Sequence, residues 1–189
     1  NTPQSLSVMG IKTSLNPLSF FQVNDNIREK LYEDVIKIIN PSEQTIVIDA
    51  YSGVGIMGAI MAKSGARIIN IDEISEAIDD ANILYKLNGI DHKAYNICGD
   101  STFVLPRLAE AILVNQSHRA LDSSNDKLAS NDSEESIKKA SSIFQSYNDF
   151  VFLLTPPRKG VSEEVIVAIE KLKTIYPSLR VVYISCNPA

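Results

Sequence analysis

A cysteine follows the last apolar run of the chain: Val181-Val182-Tyr183-Ile184 leads directly into Ser185-Cys186-Asn187-Pro188-Ala189. A thiol at the carboxyl end of a buried strand lies where open α/β sheets place their chemistry, and its thiolate can act as a nucleophile. A lone cysteine at a strand end is more often a small buried hydrophobe, so the motif needs company. Two further groups supply it. Gly53-Val54-Gly55-Ile56-Met57-Gly58 has G-x-G-x-x-G spacing after a strand, with Asp72 about twenty residues on. Thr155-Pro156-Pro157-Arg158-Lys159-Gly160 follows the apolar run Phe150-Val151-Phe152-Leu153-Leu154. Together they point to a cofactor site with a nucleophile beside it.

Glycines at that spacing allow a tight turn and a close backbone approach to a ligand, and an acid ending the next strand can accept both hydroxyls of a ribose. That geometry serves nicotinamide cofactors and S-adenosylmethionine alike. Asp49, just before the turn, would meet a cationic amino-acid group well and a pyrophosphate badly. Tyr51 offers an aromatic wall, and Gly99-Asp100 after the third strand is placed for an adenine amino group. These residues favour S-adenosylmethionine, whose sulfonium is positive and which carries no phosphate.

The elements that must position these groups alternate between strand and helix, which implies a parallel sheet covered on both faces. A short extended region near 6–13 comes first. Asn24 or Asp25 then caps a helix with Ile27, Leu31, Val35 and Ile38 on one stripe, ended by Asn40-Pro41. Strands are expected at 45–49, 67–72, 94–98, 150–154 and 181–184. The intervening helices run to about 63, over 75–87, over 101–114 with Pro106 as an interruption, and over 162–175 from a Ser162 cap. Cys98 reads as core. Residues 115–146 are rich in Ser, Asn and charge, a composition that cannot bury enough surface to offset ordering entropy, and they read as a flexible insertion whose middle forms at most a transient helix.

With 189 residues, 44% hydrophobic and 22% charged, the chain has the make-up of an ordinary globular domain. A net charge of -5 argues against a uniformly basic nucleic-acid clamp, although a local pair such as Arg158-Lys159 can still meet RNA. Two cysteines imply no disulfide framework and fit a reducing, intracellular and most simply cytoplasmic setting. No apolar stretch is long enough to span a bilayer. His92 and His118 have no metal-ligand spacing with the cysteines, so no metal is expected. Starting without methionine and stopping on a strand exit, the chain is expected to be a piece of a longer protein.

Four segments in order carry a family resemblance: Phe20-Phe21-Gln22-Val23-Asn24, Asp49-Ala50-Tyr51-Ser52-Gly53-Val54-Gly55, Pro156-Pro157-Arg158-Lys159-Gly160 and Ser185-Cys186-Asn187-Pro188-Ala189. The chain resembles the RNA 5-methyluridine methyltransferases, S-adenosylmethionine-dependent enzymes that methylate C5 of uridine in tRNA or rRNA. The resemblance implies a Rossmann-like fold, with residues 1–24 as an extended segment and entry loop and 25–189 as most of the catalytic domain, the last strands missing. It also implies that Gln22, Tyr51, Asp72 and Asp100 contact the cofactor, that Gly53 and Gly55 shape its turn, and that Cys186 is the nucleophile. Thr155, Pro156 and Arg158 would line the substrate side.

The implied chemistry is sound. Thiolate addition at uracil C6 makes an enolate whose C5 attacks the sulfonium methyl; a base then takes the C5 proton and the thiolate leaves. The target base must be unstacked to reach the site. Three departures stand out. Thr155 replaces the family's aspartate, Ser52 replaces a cysteine, and the family's proton-abstracting glutamate falls beyond Ala189. Thr155 and the chain's end keep a non-catalytic RNA- or cofactor-binding relative in view; a nicotinamide-dependent oxidoreductase would share the glycine turn, but Asp49 and the absence of a catalytic His or Tyr-Lys pair argue against it.

Overall fold

The computed structural model describes residues 6–13, 25–117 and 132–185. Five strands form one parallel sheet, β3 (Thr45–Ala50), β4 (Arg67–Asp72), β5 (Ala94–Cys98), β6 (Asp149–Leu154) and β7 (Arg180–Tyr183), in the order β5-β4-β3-β6-β7. Every neighbouring pair runs parallel, so all five carboxyl ends meet at one edge. The chain builds outward from β3 to one side through β4 and β5, then returns to the other through β6 and β7. This reversal is a topological switch point, and ligands of open α/β sheets bind outside the carboxyl ends of the strands at such a point.

The strands are near-continuous Ile, Val, Leu and Phe runs because both faces are covered. One face buries Ile46, Ile48, Ile69, Ile71, Phe150 and Phe152 against α4 (Ser101–Ser117), α5 (Asp132–Ser142) and α6 (Glu163–Ile175). The other buries Val47, Ile68, Val151 and Leu153 against α1 (Asp25–Ile39), α2 (Ile56–Lys63) and α3 (Ser75–Leu87). Each fully buried aliphatic side chain contributes about 1.5–3 kcal/mol, so the central strands anchor the fold.

The expected extended region is a hairpin, β1 (Leu6–Val8) with β2 (Ile11–Thr13), turned through Met9 and Gly10, both at positive φ. Val8 and Ile11 bury against the second face, and Asn88 at the end of α3 pairs with both backbone groups of Lys12.

Three expectations are corrected. The buried stripe of α1 is Leu31, Val35 and Ile39, while Ile38 points outward with 63% of its surface exposed; positions four apart stack on one helical face, and 38 falls off it. Pro106 does not stop α4, which continues to Ser117 and gives up only the hydrogen bond a proline nitrogen cannot make. Within the presumed insertion, 132–142 is helical and is followed by a short turn of helix at 143–146. Ile137, Ala140 and Phe144 are buried at three- and four-residue spacing, and Phe144 stacks on Phe150 with centroids 5.2 Å apart. A few apolar groups on one stripe suffice to dock a helix whose other faces are charged.

Candidate functional site

The turn after β3 is built from strained backbone. Tyr51, Gly53 and Gly55 all take positive φ, at 68°, 54° and 70°. Tyr51 pays a steric cost there that glycine does not. The N–H groups of Tyr51 and Ser52 both donate to Ile71 O, at 2.9 and 3.0 Å, which locks the turn to the end of β4. From β4, Asp72 Oδ2 accepts the Gly53 N–H at 2.7 Å, and Asp72 Oδ1 accepts the Ile74 N–H at 3.0 Å. One carboxylate therefore holds two loops.

The next loops complete the rim. Asp100, after β5, accepts the Thr102 N–H at 2.8 Å and so starts α4. Thr155, after β6, donates its hydroxyl to Tyr51 O at 3.0 Å. Pro156 is buried behind it, while Arg158 and Lys159 are exposed at the tip of a turn closed by Gly160 N donating to Pro157 O at 2.8 Å. Ile184 N donates to Leu154 O at 2.9 Å, so the last strand reaches the same edge, and Ser185 is the final described residue. Tyr51, Gly53, Gly55, Asp72, Asp100 and Thr155 are thus brought to one edge. Gln22 and Cys186 lie outside the described residues.

Acidic groups gather around Tyr51 and Cys98 at this edge. Burial, then the charges of Asp100 and Glu73 with Tyr183 between them in weight, pushes the Tyr51 phenol above its ordinary value. Burial raises the Cys98 thiol, and Asp72, Asp79 and Glu76 add to it. Cys98 is exposed at the end of β5 rather than in the core, because edge strand β5 leaves its last residue uncovered. Among the described residues neither Asp72 nor Asp100 is in an ion pair.

Asp49 does not face the crevice as expected. It is 2% exposed beneath the turn, and burial, with Asp72 adding to it, pushes its carboxyl up to about 8. A neutral acid there relieves the cost of burying a charge. Sequence reading also missed Asn70 and Tyr85, which pack under the same turn. Their only signals were a single polar residue inside the run Ile68-Ile69-Asn70-Ile71 and a tyrosine on the buried stripe of α3. Ser162 leads into α6 without a side-chain cap; its hydroxyl lies 3.2 Å from Thr102 Oγ1 instead. Among the described residues no group of three His, Cys, Asp or Glu side chains could hold a metal ion, and no helix is long and apolar enough to cross a membrane.

No protein-family model matches the sequence. The crystal structure of Pyrococcus abyssi tRNA (uracil-54, C5)-methyltransferase in complex with S-adenosyl-L-homocysteine aligns with a TM-score of 0.62 at 21% identity, over 97% of this chain and 34% of that one. The fold is that of the Rossmann-like methyltransferases. In sequence, an uncharacterized RNA methyltransferase of Lactobacillus johnsonii is 31% identical over 188 residues, 99% of this chain and 33% of that protein. Another, from Clostridium tetani, is 30% identical over 181 residues, 96% of this chain and 30% of its own length. The chain thus spans about a third of the curated relatives it matches, and its similarity to RNA methyltransferases runs through nearly all of its residues.

Proposed function

We propose that this chain binds S-adenosylmethionine at the carboxyl edge and belongs to an enzyme that methylates C5 of uridine in tRNA or rRNA. The observation that carries the cofactor is the acidic, glycine-turned crevice. Gly53 borders open space, and the carboxylates suit hydroxyl donors and a cation. A pyrophosphate would find the Gly53 N–H already taken by Asp72 and the surroundings negative, which disfavours a nicotinamide cofactor. The RNA methyltransferase relatives and the structural neighbour solved with S-adenosyl-L-homocysteine agree with this reading.

In this reading Asp72 accepts ribose hydroxyls while holding the turn, Asp100 orders the loop that meets the adenine, and Tyr51 walls the pocket. Gly53 and Gly55 shape the turn, and Gln22 contacts the cofactor from the entry segment. When bound, the cofactor supplies an electrophilic sulfonium methyl. Cys186 acts as the nucleophile that adds to C6 of the uracil ring, making C5 nucleophilic, and is expelled once the C5 proton has gone to a base. The turn tip of Arg158 and Lys159 presents positive charge to RNA phosphate on an otherwise acidic body.

One observation favours a second reading. The Thr155 hydroxyl is spent on Tyr51 O, so at this position the loop offers a tie within the protein and no free carboxylate to substrate. A non-catalytic binding relative would look the same there. RNA transcribed with tritium at uridine C5 separates the two: tritium release that needs S-adenosylmethionine and is lost in Cys186→Ala establishes the enzyme. Saturable binding of S-adenosyl-L-homocysteine without release, in the full-length protein, establishes the binding relative. Absence of such binding overturns both.

A further inference from the structure

Beneath the glycine turn, the second face of the sheet carries a row of polar side chains where aliphatic ones would pack. Asp49, Asn70 and Asn96 are register partners across β3, β4 and β5. Asn70 Nδ2 donates to Asn96 Oδ1 at 2.6 Å, and Asn96 Nδ2 donates to Asn82 Oδ1 of α3 at 2.8 Å. Tyr85 of α3, fully buried, donates its hydroxyl to Gly55 O at 3.2 Å. Gly58 makes the room: a Cβ on it would lie 2.5 Å from Tyr85 Oη and 2.9 Å from Asn70 Oδ1. Asn70 Oδ1 borders that same space, and the Asn70 side chain interacts with the Tyr85 hydroxyl although Oδ1 accepts no hydrogen bond of ordinary geometry.

Polar groups in such a place weaken a core unless they do something an isoleucine would not. Satisfying Gly55 O is not the reason, because that carbonyl already accepts the Ala59 N–H at 2.9 Å as part of α2. What the tyrosine adds is direction. It ties the left-handed Gly55 peptide to α3, while Asp72 separately holds Gly53. A Cβ on Gly55 would meet Asn70 Nδ2 and Tyr85 Cε2 at 3.1 Å, so the two side chains also form the floor on which the turn rests.

We infer that Tyr85, braced by Asn70, is a positioning residue that fixes the glycine turn in its ligand-receiving shape. For the identity of the ligand this rests on the S-adenosylmethionine reading above; for the turn itself it does not. The residue sets affinity, and the stability of the sheet is largely indifferent to it.

Two readouts on Tyr85→Phe in the full chain test this. Hydrogen exchange without ligand should be about tenfold faster at the Gly53 and Gly55 amides and unchanged in β3 and β4, as expected for losing one neutral hydrogen bond. The dissociation constant for S-adenosyl-L-homocysteine should rise about five- to tenfold with little change in melting temperature. Tyr147→Phe, which alters a tyrosine bonded to Arg67 at the far edge, serves as the control and should do neither. Unchanged exchange at the turn overturns the inference, and so does acceleration spread evenly over the sheet. If the parent chain fails to bind S-adenosyl-L-homocysteine, the cofactor reading falls while the exchange result still decides the role of Tyr85.

Discussion

The two edges of the sheet treat charge in opposite ways. At the amino-terminal edge, Arg180 meets both carboxylate oxygens of Asp149 at 2.9 Å, and Thr45 adds its hydroxyl to the same carboxylate at 2.8 Å. Arg67 bonds Tyr147 at 2.9 Å and the carbonyl of His92, while Lys93 reaches Ala62 O at 3.2 Å at the end of α2. Cations there are consumed by carbonyls, a phenol and a carboxylate. At the carboxyl-terminal edge Asp72 and Asp100 are held by backbone N–H groups and, among the described residues, pair with no cation. One edge pairs its charges within the fold; the other, among the described residues, leaves its carboxylates without a cation.

The contrast can be broken most directly at Asp72. Asp72→Ala frees two loops at once and should weaken S-adenosyl-L-homocysteine binding about 100-fold by calorimetry, as for loss of a charged hydrogen-bonding group. Binding retained within twofold would mean the carboxyl edge is no site. Next in size is Gly58→Ala, whose methyl would press on Tyr85 Oη, Ile68 and Asn70 at 2.5 to 2.9 Å and should cost about 2 kcal/mol in denaturant unfolding.

A pH titration sharpens the comparison further. Asp49 binds its proton more tightly folded, at about 8, than at the ordinary carboxyl value of 3.8. Its contribution to stability is therefore complete below 3.8 and falls as pH rises toward 8. Between about pH 6 and about pH 8 the loss should be about 2 kcal/mol, and Asp49→Asn should flatten it. A wild-type profile already flat over that window would show that the acid is charged as folded. The smallest effect belongs to the amino-terminal edge. Arg180 and Asp149 are 40% and 30% exposed, so Arg180→Ala should cost only about 1 kcal/mol and leave ligand affinity untouched.

The sheet was legible because runs such as Thr45-Ile46-Val47-Ile48 and Phe150-Val151-Phe152-Leu153 are too short for helices and too apolar for a surface. The glycine turn and Asp72 were legible because spacing along the chain is itself the signal. What escaped depended on neighbours. Composition hid α5, whose docking rests on Ile137, Ala140 and Phe144 amid serines and lysines. Asp49 sat at the right place in the motif, yet strand alternation turned it under the loop instead of into the crevice. Asn70 and Asn96 meet only once β4 and β5 pair, so neither marks the other in sequence. Cys98 looked like core until β5 proved to be an edge.

The pairing of β3 with β6 has a further consequence. Thr45 and Asp149 touch although they are 104 positions apart, and two further strands, β4 and β5, are threaded between. Loops from 51, 72, 100 and 155 converge only once that long closure is made, so no short fragment contains them all. A ligand that grips loops on both sides of β3 would act as a clasp on the whole topology, slowing the separation of β6 from β3 as much as it fills a pocket.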